Sequence, residues 1–128
     1  IYTVERSRFN SSPFIDFTKE RLSSNCFIDM SLNDDSDLLL LACNGIAYVF
    51  SLNGKIKTSM PVSINDPKHV IAIGDDWLVL NDHGIALSIN TNIKYRLPQS
   101  SMPIMDIQSK NRSIAILSLN QILILDVK

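Results

Sequence analysis

Two stretches of this chain repeat at an offset of 39 residues, and no other feature of the sequence constrains the fold as tightly. In the first, Asp37 and the apolar run Leu38-Leu39-Leu40-Leu41 lead through Asn44-Gly45 into Ile46-Ala47-Tyr48-Val49-Phe50 and on to Asn53-Gly54. In the second, Asp76 and Trp77-Leu78-Val79-Leu80 lead through His83-Gly84 into Ile85-Ala86-Leu87-Ser88-Ile89 and on to Thr91-Asn92. A looser third copy places residues 114–119 before Asn120-Gln121 and residues 122–127 after them, with one residue deleted. Repetition at about 38 residues marks one supersecondary unit used several times, each copy burying its apolar faces against the next.

The unit is built of strands. Apolar bursts of four to seven residues alternate with clusters of Asn, Asp, Ser, Gly and Pro, the spacing of consecutive antiparallel strands. No window carries a helical stripe for three turns, and residues 18–22 could hold little more than one turn. The near-continuous runs 38–42 and 77–80 suit inner strands covered on both faces. Gly45 and Gly84 stand where a tight hairpin needs positive φ, which a residue with a Cβ adopts only at a cost. Lys55-Ile56-Lys57 and Lys94-Tyr95-Arg96 alternate charge with one apolar residue, so they read as outer edge strands, Lys55 aligned with Lys94 and Lys57 with Arg96.

Residues 69–73 and 103–107 supply a strand ahead of copies two and three, which makes four strands per unit, the number in a propeller blade. The expected fold is all-β: a partial β-propeller of about three four-stranded antiparallel blades at residues 26–60, 69–97 and 103–128, the third lacking its outer strand. Residues 1–25 are expected to form an irregular N-terminal segment with possible strands at 1–4 and 14–17.

These residues also carry a family resemblance. Gly45-Ile46-Ala47-Tyr48-Val49-Phe50-Ser51 followed by Asn53-Gly54-Lys55 resembles the end of a WD40 repeat, with Phe50-Ser51 in the Trp-Asp position. Ile89-Asn90 and Leu125-Asp126 take that position in the second and third copies. The resemblance spans residues 26–128, without the family's Gly-His dipeptide and with no Trp-Asp pair. It implies a diverged WD40-like propeller of the kind found in scaffold subunits of large eukaryotic assemblies. Because a propeller typically closes with about four to eight blades, the chain is expected to be a piece of a larger propeller, or else to be completed by protein partners through its open strand edges.

Elementary chemistry excludes most other functions. The chain has 12 Lys and Arg against 13 Asp and Glu, for a net charge of -1, so no general attraction to a polyanion is expected. The longest apolar run, residues 38–43, is far shorter than the roughly 20 residues of a membrane helix, so no membrane insertion is expected. Cys26 and Cys43 form no motif and read as reduced core thiols, which suits a nuclear or cytoplasmic protein in a reducing compartment. The sequons at Asn10 and Asn111 are expected to be coincidental in an Asn- and Ser-rich chain.

His69 and His83 have no catalytic partner at motif spacing and read as surface or turn residues. The acidic stretch 33–37 lacks the Gly and Glu of a calcium loop and reads as a hairpin turn, as does Gly74-Asp75. With only 4 Gly, no phosphate-binding loop exists. No enzyme activity, metal or cofactor is expected. The leading expectation is a non-enzymatic protein-protein interaction scaffold that presents loops 33–37, 65–68 and 99–102. The alternative is a nucleic-acid-contacting propeller that uses Lys55, Lys57, Lys94 and Arg96 on its outer strands. Arg6, Arg8, Lys19 and Arg21 form a second loose basic region, and Met102, Pro103 and Met105 a small adaptable contact patch.

Overall fold

The computed structural model describes Leu22 and residues 25–127. The N-terminal strands expected at 1–4 and 14–17, the helical turn at 18–22 apart from Leu22, the sequon at Asn10 and the basic group from Arg6 to Arg21 lie outside the described residues. Eleven strands are described, in three antiparallel sheets. The first sheet holds β1 (Phe27–Leu32), β2 (Leu38–Ala42), β3 (Ile46–Phe50) and β4 (Ile56–Pro61) in chain order. The second holds β5 (His69–Ile73), β6 (Asp76–Leu80), β7 (Ile85–Ser88) and β8 (Lys94–Arg96), also in chain order. The third has three strands, β9 (Asp106–Lys110), β10 (Ser113–Leu117) and β11 (Ile122–Asp126), with β10 central.

The register shows the repeat in space. Leu39 pairs with Val49, and 39 residues on, Leu78 pairs with Ser88. The turn after β10 is one residue shorter, so Ser118 N donates to Gln121 O across the place where Asn81 N donates to Ile85 O. Gly45 and Gly84 have φ of 84° and 86°, as the hairpins require. The turns between β5 and β6 and between β9 and β10 each begin on a residue with positive φ, Gly74 and Asn111.

The sheets stack face to face. Leu39, Leu41, Ala47 and Val49 of the first meet Val70, Trp77, Val79 and Leu87 of the second in one buried cluster. The opposite face of the second, with Ile73, Leu78, Leu80 and Ala86, meets Ile114 and Ile116 of the third in another. All five residues of β6 are therefore buried, which is why this run carries no polar alternation. Hydrogen bonds tie the first sheet to the second: Trp77 Nε1 donates to Ser31 O at 2.9 Å and Val70 N to Asp29 Oδ2 at 2.8 Å, and between their turns Asp34 N donates to Gly74 O at 2.9 Å. β5 lies beside both β1 and β9, so the first strands of the three sheets neighbour one another in series.

Three expectations are corrected. Cys26 and Cys43 are not separate reduced core thiols: both are exposed and they are bonded to each other, with their Cα atoms 5.3 Å apart at the open ends of β1 and β2. The bond removes the ground on which a reducing compartment was expected. The strand ahead of the third copy begins at Asp106 rather than at residue 103, because Met102, Pro103 and Ile104 cross from the second sheet to the third and Ile104 is buried between them. The third outer strand of the first unit runs from Ile56 to Pro61, well past the Lys55-Ile56-Lys57 triplet that announced it.

Candidate functional site

The faces of the sheets follow a strict order along the repeat. Leu39 and Leu41 correspond to Leu78 and Leu80, and these to Ala115 and Leu117; on the neighbouring strand Ala47 and Val49 correspond to Ala86 and Ser88, and these to Ile122 and Ile124. In the first two sheets this forward face is covered by the next sheet. In the third it is bare: Leu117 is 44% exposed, Ile122 66% and Ile124 73%. Alternation explains the pattern, since β11 sends Leu123 and Leu125 backward into the core and Ile122 and Ile124 forward. Leu117, Ile122 and Ile124 thus form a contiguous exposed aliphatic patch on the sheet.

At the other end of the stack, Leu40, Ala42, Tyr48 and Phe50 of the first sheet are buried with Leu22 and Phe27 packed on them, while Ile28, Met30 and Leu32 of β1 are exposed.

The edge of the third sheet is a second opening. The first two sheets end on β4 and β8, and the third ends on β11. A cavity of about 330 Å³ lies beside it, lined by Tyr95, Arg96 and Leu97 from the second sheet and Ile114, Leu125 and Val127 from the third.

The polar interior serves the fold. Asp76, 3% exposed, accepts hydrogen bonds at Oδ1 from Trp77 N (2.6 Å) and Asn90 N (2.8 Å), and at Oδ2 from Ser88 Oγ, which in turn accepts from Thr91 Oγ1 at 2.6 Å. The equivalent Asp37 is instead paired with Lys57 at 2.8 Å, and in the third unit Ser113 stands at the place of Asp76 and donates its Oγ to Asp126 Oδ1. Asn33 and Asn81 close their turns. Asn33 Nδ2 donates to Asp75 O at 2.7 Å, and Asn81 Oδ1 accepts from His83 N and Ile85 N at 3.0 Å each. The acidic stretch 33–37 is therefore a turn organised by a buried asparagine. Among the described residues no group of three or more His, Cys, Asp and Glu could hold a metal ion, and no helix is long and apolar enough to cross a membrane.

A titratable cluster that sequence spacing did not reveal joins Asp82 to His69 Nε2 (3.3 Å) and Lys68 Nζ (3.5 Å), with Ile104 N donating to Asp82 at 3.4 Å. Burial raises the Asp82 carboxyl, and the His69 hydrogen bond, the Ile104 N–H, the charge on His69 and Lys68 together outweigh it, so the net shift is downward from the ordinary 3.8. His83 is exposed in its turn, as expected.

The four basic residues are all exposed, but they do not form one row. Thr58 pairs with Val49 and Lys94 with Leu87, so Ser59, not Lys55, occupies the place of Lys94, and Pro61 that of Arg96. Counted between equivalent pairs, the stretch from Tyr48 to its partner Ser59, with a bulge at Val49 and Phe50, is four residues longer than the stretch from Leu87 to its partner Lys94. Similar triplets were thus aligned across an insertion.

No protein-family model and no curated protein matches the chain. Among solved structures, one described as KlHsv2 with loop 6CD replaced by a Gly-Ser linker is similar, with a TM-score of 0.59 and 12% sequence identity over 80% of this chain and 36% of that chain. This chain thus spans about a third of the length of that neighbour, and at such identity the likeness is one of fold alone.

Proposed function

We propose that the stacked sheets are consecutive blades of a WD40-like β-propeller and that the protein is a non-enzymatic scaffold, a propeller subunit of a multi-subunit complex. The bare forward face of the third sheet carries this reading. Ala115, Leu117, Ile122 and Ile124 hold the positions that two preceding sheets use for sheet-on-sheet packing. The occupant that fits is therefore another antiparallel sheet, one that presents a flat aliphatic row like Ile114 and Ile116. The mechanism is passive: rigid sheets hold the loops at 33–37, 65–68 and 99–102 in fixed relation for partners to contact.

A photo-reactive amino acid at position 117 of the whole chain, in its own cells, tests the reading, with the same group at Thr58 as control. Crosslinks from 117 should map by mass spectrometry to a strand segment of another sheet unit. Crosslinks to a second copy of this chain, to segments with no strand alternation, or equally from both positions would contradict it.

Nucleic-acid contact is the second reading. It is supported by the exposure of Lys55, Lys94 and Arg96, none of which forms an ion pair among the described residues. It predicts affinity that falls steeply with salt and is lost when Lys55, Lys57, Lys94 and Arg96 are changed together. Binding indifferent to that change would remove it.

A further inference from the structure

We propose that Asn111 carries an N-linked glycan, and that the chain matures in the oxidising lumen where such glycans are added and where the bond between Cys26 and Cys43 forms. The proposal stands apart from the scaffold reading, which neither needs nor forbids a sugar at this turn.

Asn111, Arg112 and Ser113 make the acceptor triplet N-x-S, with no proline in the middle. In the fold the triplet spans a hairpin: Lys110 pairs with Ser113, so Asn111 and Arg112 alone join β9 to β10. Asn111 has φ of 55° and its C=O accepts from Gly74 N at 2.9 Å, so its backbone is held while the residue itself is exposed. Among the described residues its side-chain amide has no hydrogen-bond partner. A further sheet stacked on the third would not close the position. In the second sheet Gly74 takes the same place, and a Cβ there would lie 3.8 Å from Cγ of Arg112 in the sheet that follows, an ordinary contact with a flexible side chain. A bulky polar addition therefore fits this turn without disturbing the stack.

Positive φ by itself accounts for an asparagine at such a turn, since Asn adopts it more readily than most residues with a Cβ. The disulfide is the separate observation. Cys26 and Cys43 are both exposed and bonded to each other, and Cys43 N donates to Cys26 O at 2.8 Å. An exposed disulfide persists in oxidising surroundings and is reduced by the thiols of the cytosol. The compartment that preserves it is also the one in which an exposed acceptor triplet meets its transferase. There Asn111 Nδ2 gives up one proton and bonds to C1 of an oligosaccharide carried on a lipid diphosphate, the bond from that carbon to the phosphate oxygen breaks, and the lipid diphosphate leaves. The two thiols give up two protons and two electrons to the disulfide of a lumenal oxidoreductase, which becomes a dithiol.

Protein purified from its own cells, with N-ethylmaleimide present throughout, tests both halves. Digestion with a peptide N-glycosidase in heavy-oxygen water should lower the mass of the whole chain and leave the label at position 111 in most copies. Cys26 and Cys43 should take up no maleimide until a reductant is added. Asn111→Gly should lose the glycan while the chain stays folded, because glycine takes positive φ freely. Ser113→Thr should keep the glycan and Ser113→Ala should lose it, which separates recognition of the triplet from the turn's own preference for asparagine. An unmodified Asn111, or a glycan confined to Asn10, would overturn the assignment. Maleimide on Cys26 or Cys43 before reduction would overturn the compartment.

Discussion

The second and third sheets are built from the same repeat, yet one is covered on both faces and finished by a fourth strand, while the other is bare on one face and open at one edge. The difference teaches that position in the stack sets the energetic weight of a residue as much as its type does. Leu78 and Ala115 hold equivalent places, as do Leu80 and Leu117, and only the members from β6 are sealed between sheets.

The sharpest test of that contrast is truncation. Leu78→Ala should cost about 2–5 kcal/mol in urea unfolding, since it opens a void in a cluster that cannot easily collapse. Leu117→Ala, on the bare face, should stay within about 0.5–1 kcal/mol for the isolated chain. Similar costs at both positions would break the comparison.

Polar positions should follow the same rule with smaller amplitude. Asp76→Ala strands the Trp77 and Asn90 N–H groups and the Ser88 hydroxyl in a buried site and should cost about 3 kcal/mol. Asp126→Ala removes an exposed partner of Ser113 and should lower the unfolding free energy by no more than about 0.5 kcal/mol.

Glycines divide likewise. A Cβ at Gly84 would lie 3.1 Å from Leu97 O, whereas at Gly45 it meets nothing within 4 Å, and both residues have positive φ. Gly45→Ala should therefore show only the backbone cost, about 1 kcal/mol, and Gly84→Ala a larger loss of melting temperature.

The smallest effect expected is one of pH. Asp82 is lowered in the fold, so the stability it contributes is present above its ordinary 3.8 and is lost as pH falls through its depressed folded value. Urea midpoints measured from neutral to strongly acidic pH should drop less steeply for Asp82→Asn than for the native chain at the acid end. Parallel profiles would show that the contact of Asp82 with His69 and Lys68 carries no differential energy.

Much of this architecture was legible in the residues. The offset between Gly45 and Gly84 is a register in space, the apolar runs 38–42 and 77–80 are inner strands, and residues 69–73 match β5. These succeed because continuous burial and positive-φ turns leave direct marks on composition. The outer strands were harder: an exposed edge constrains only one face, so Lys55-Ile56-Lys57 could be aligned with Lys94-Tyr95-Arg96 although a four-residue insertion separates their registers. The cysteines were misread because exposed strand ends and buried strand interiors carry similar neighbours in sequence, and only pairing of β1 with β2 brings Cys26 to Cys43. The link from Asp82 to His69 spans 13 residues and depends on the β5–β6 register, where His69 pairs with Leu80. The bare face and the cavity are properties of stacking, which no single segment encodes.

The central claim is that the forward face of the third sheet is a stacking surface. A cryo-electron-microscopy structure of the native assembly that contains this chain tests it most directly. The account predicts a further antiparallel sheet about 10 Å from β10 and β11, lying over Leu117, Ile122 and Ile124. Those side chains in open solvent, or under a helix, would contradict it.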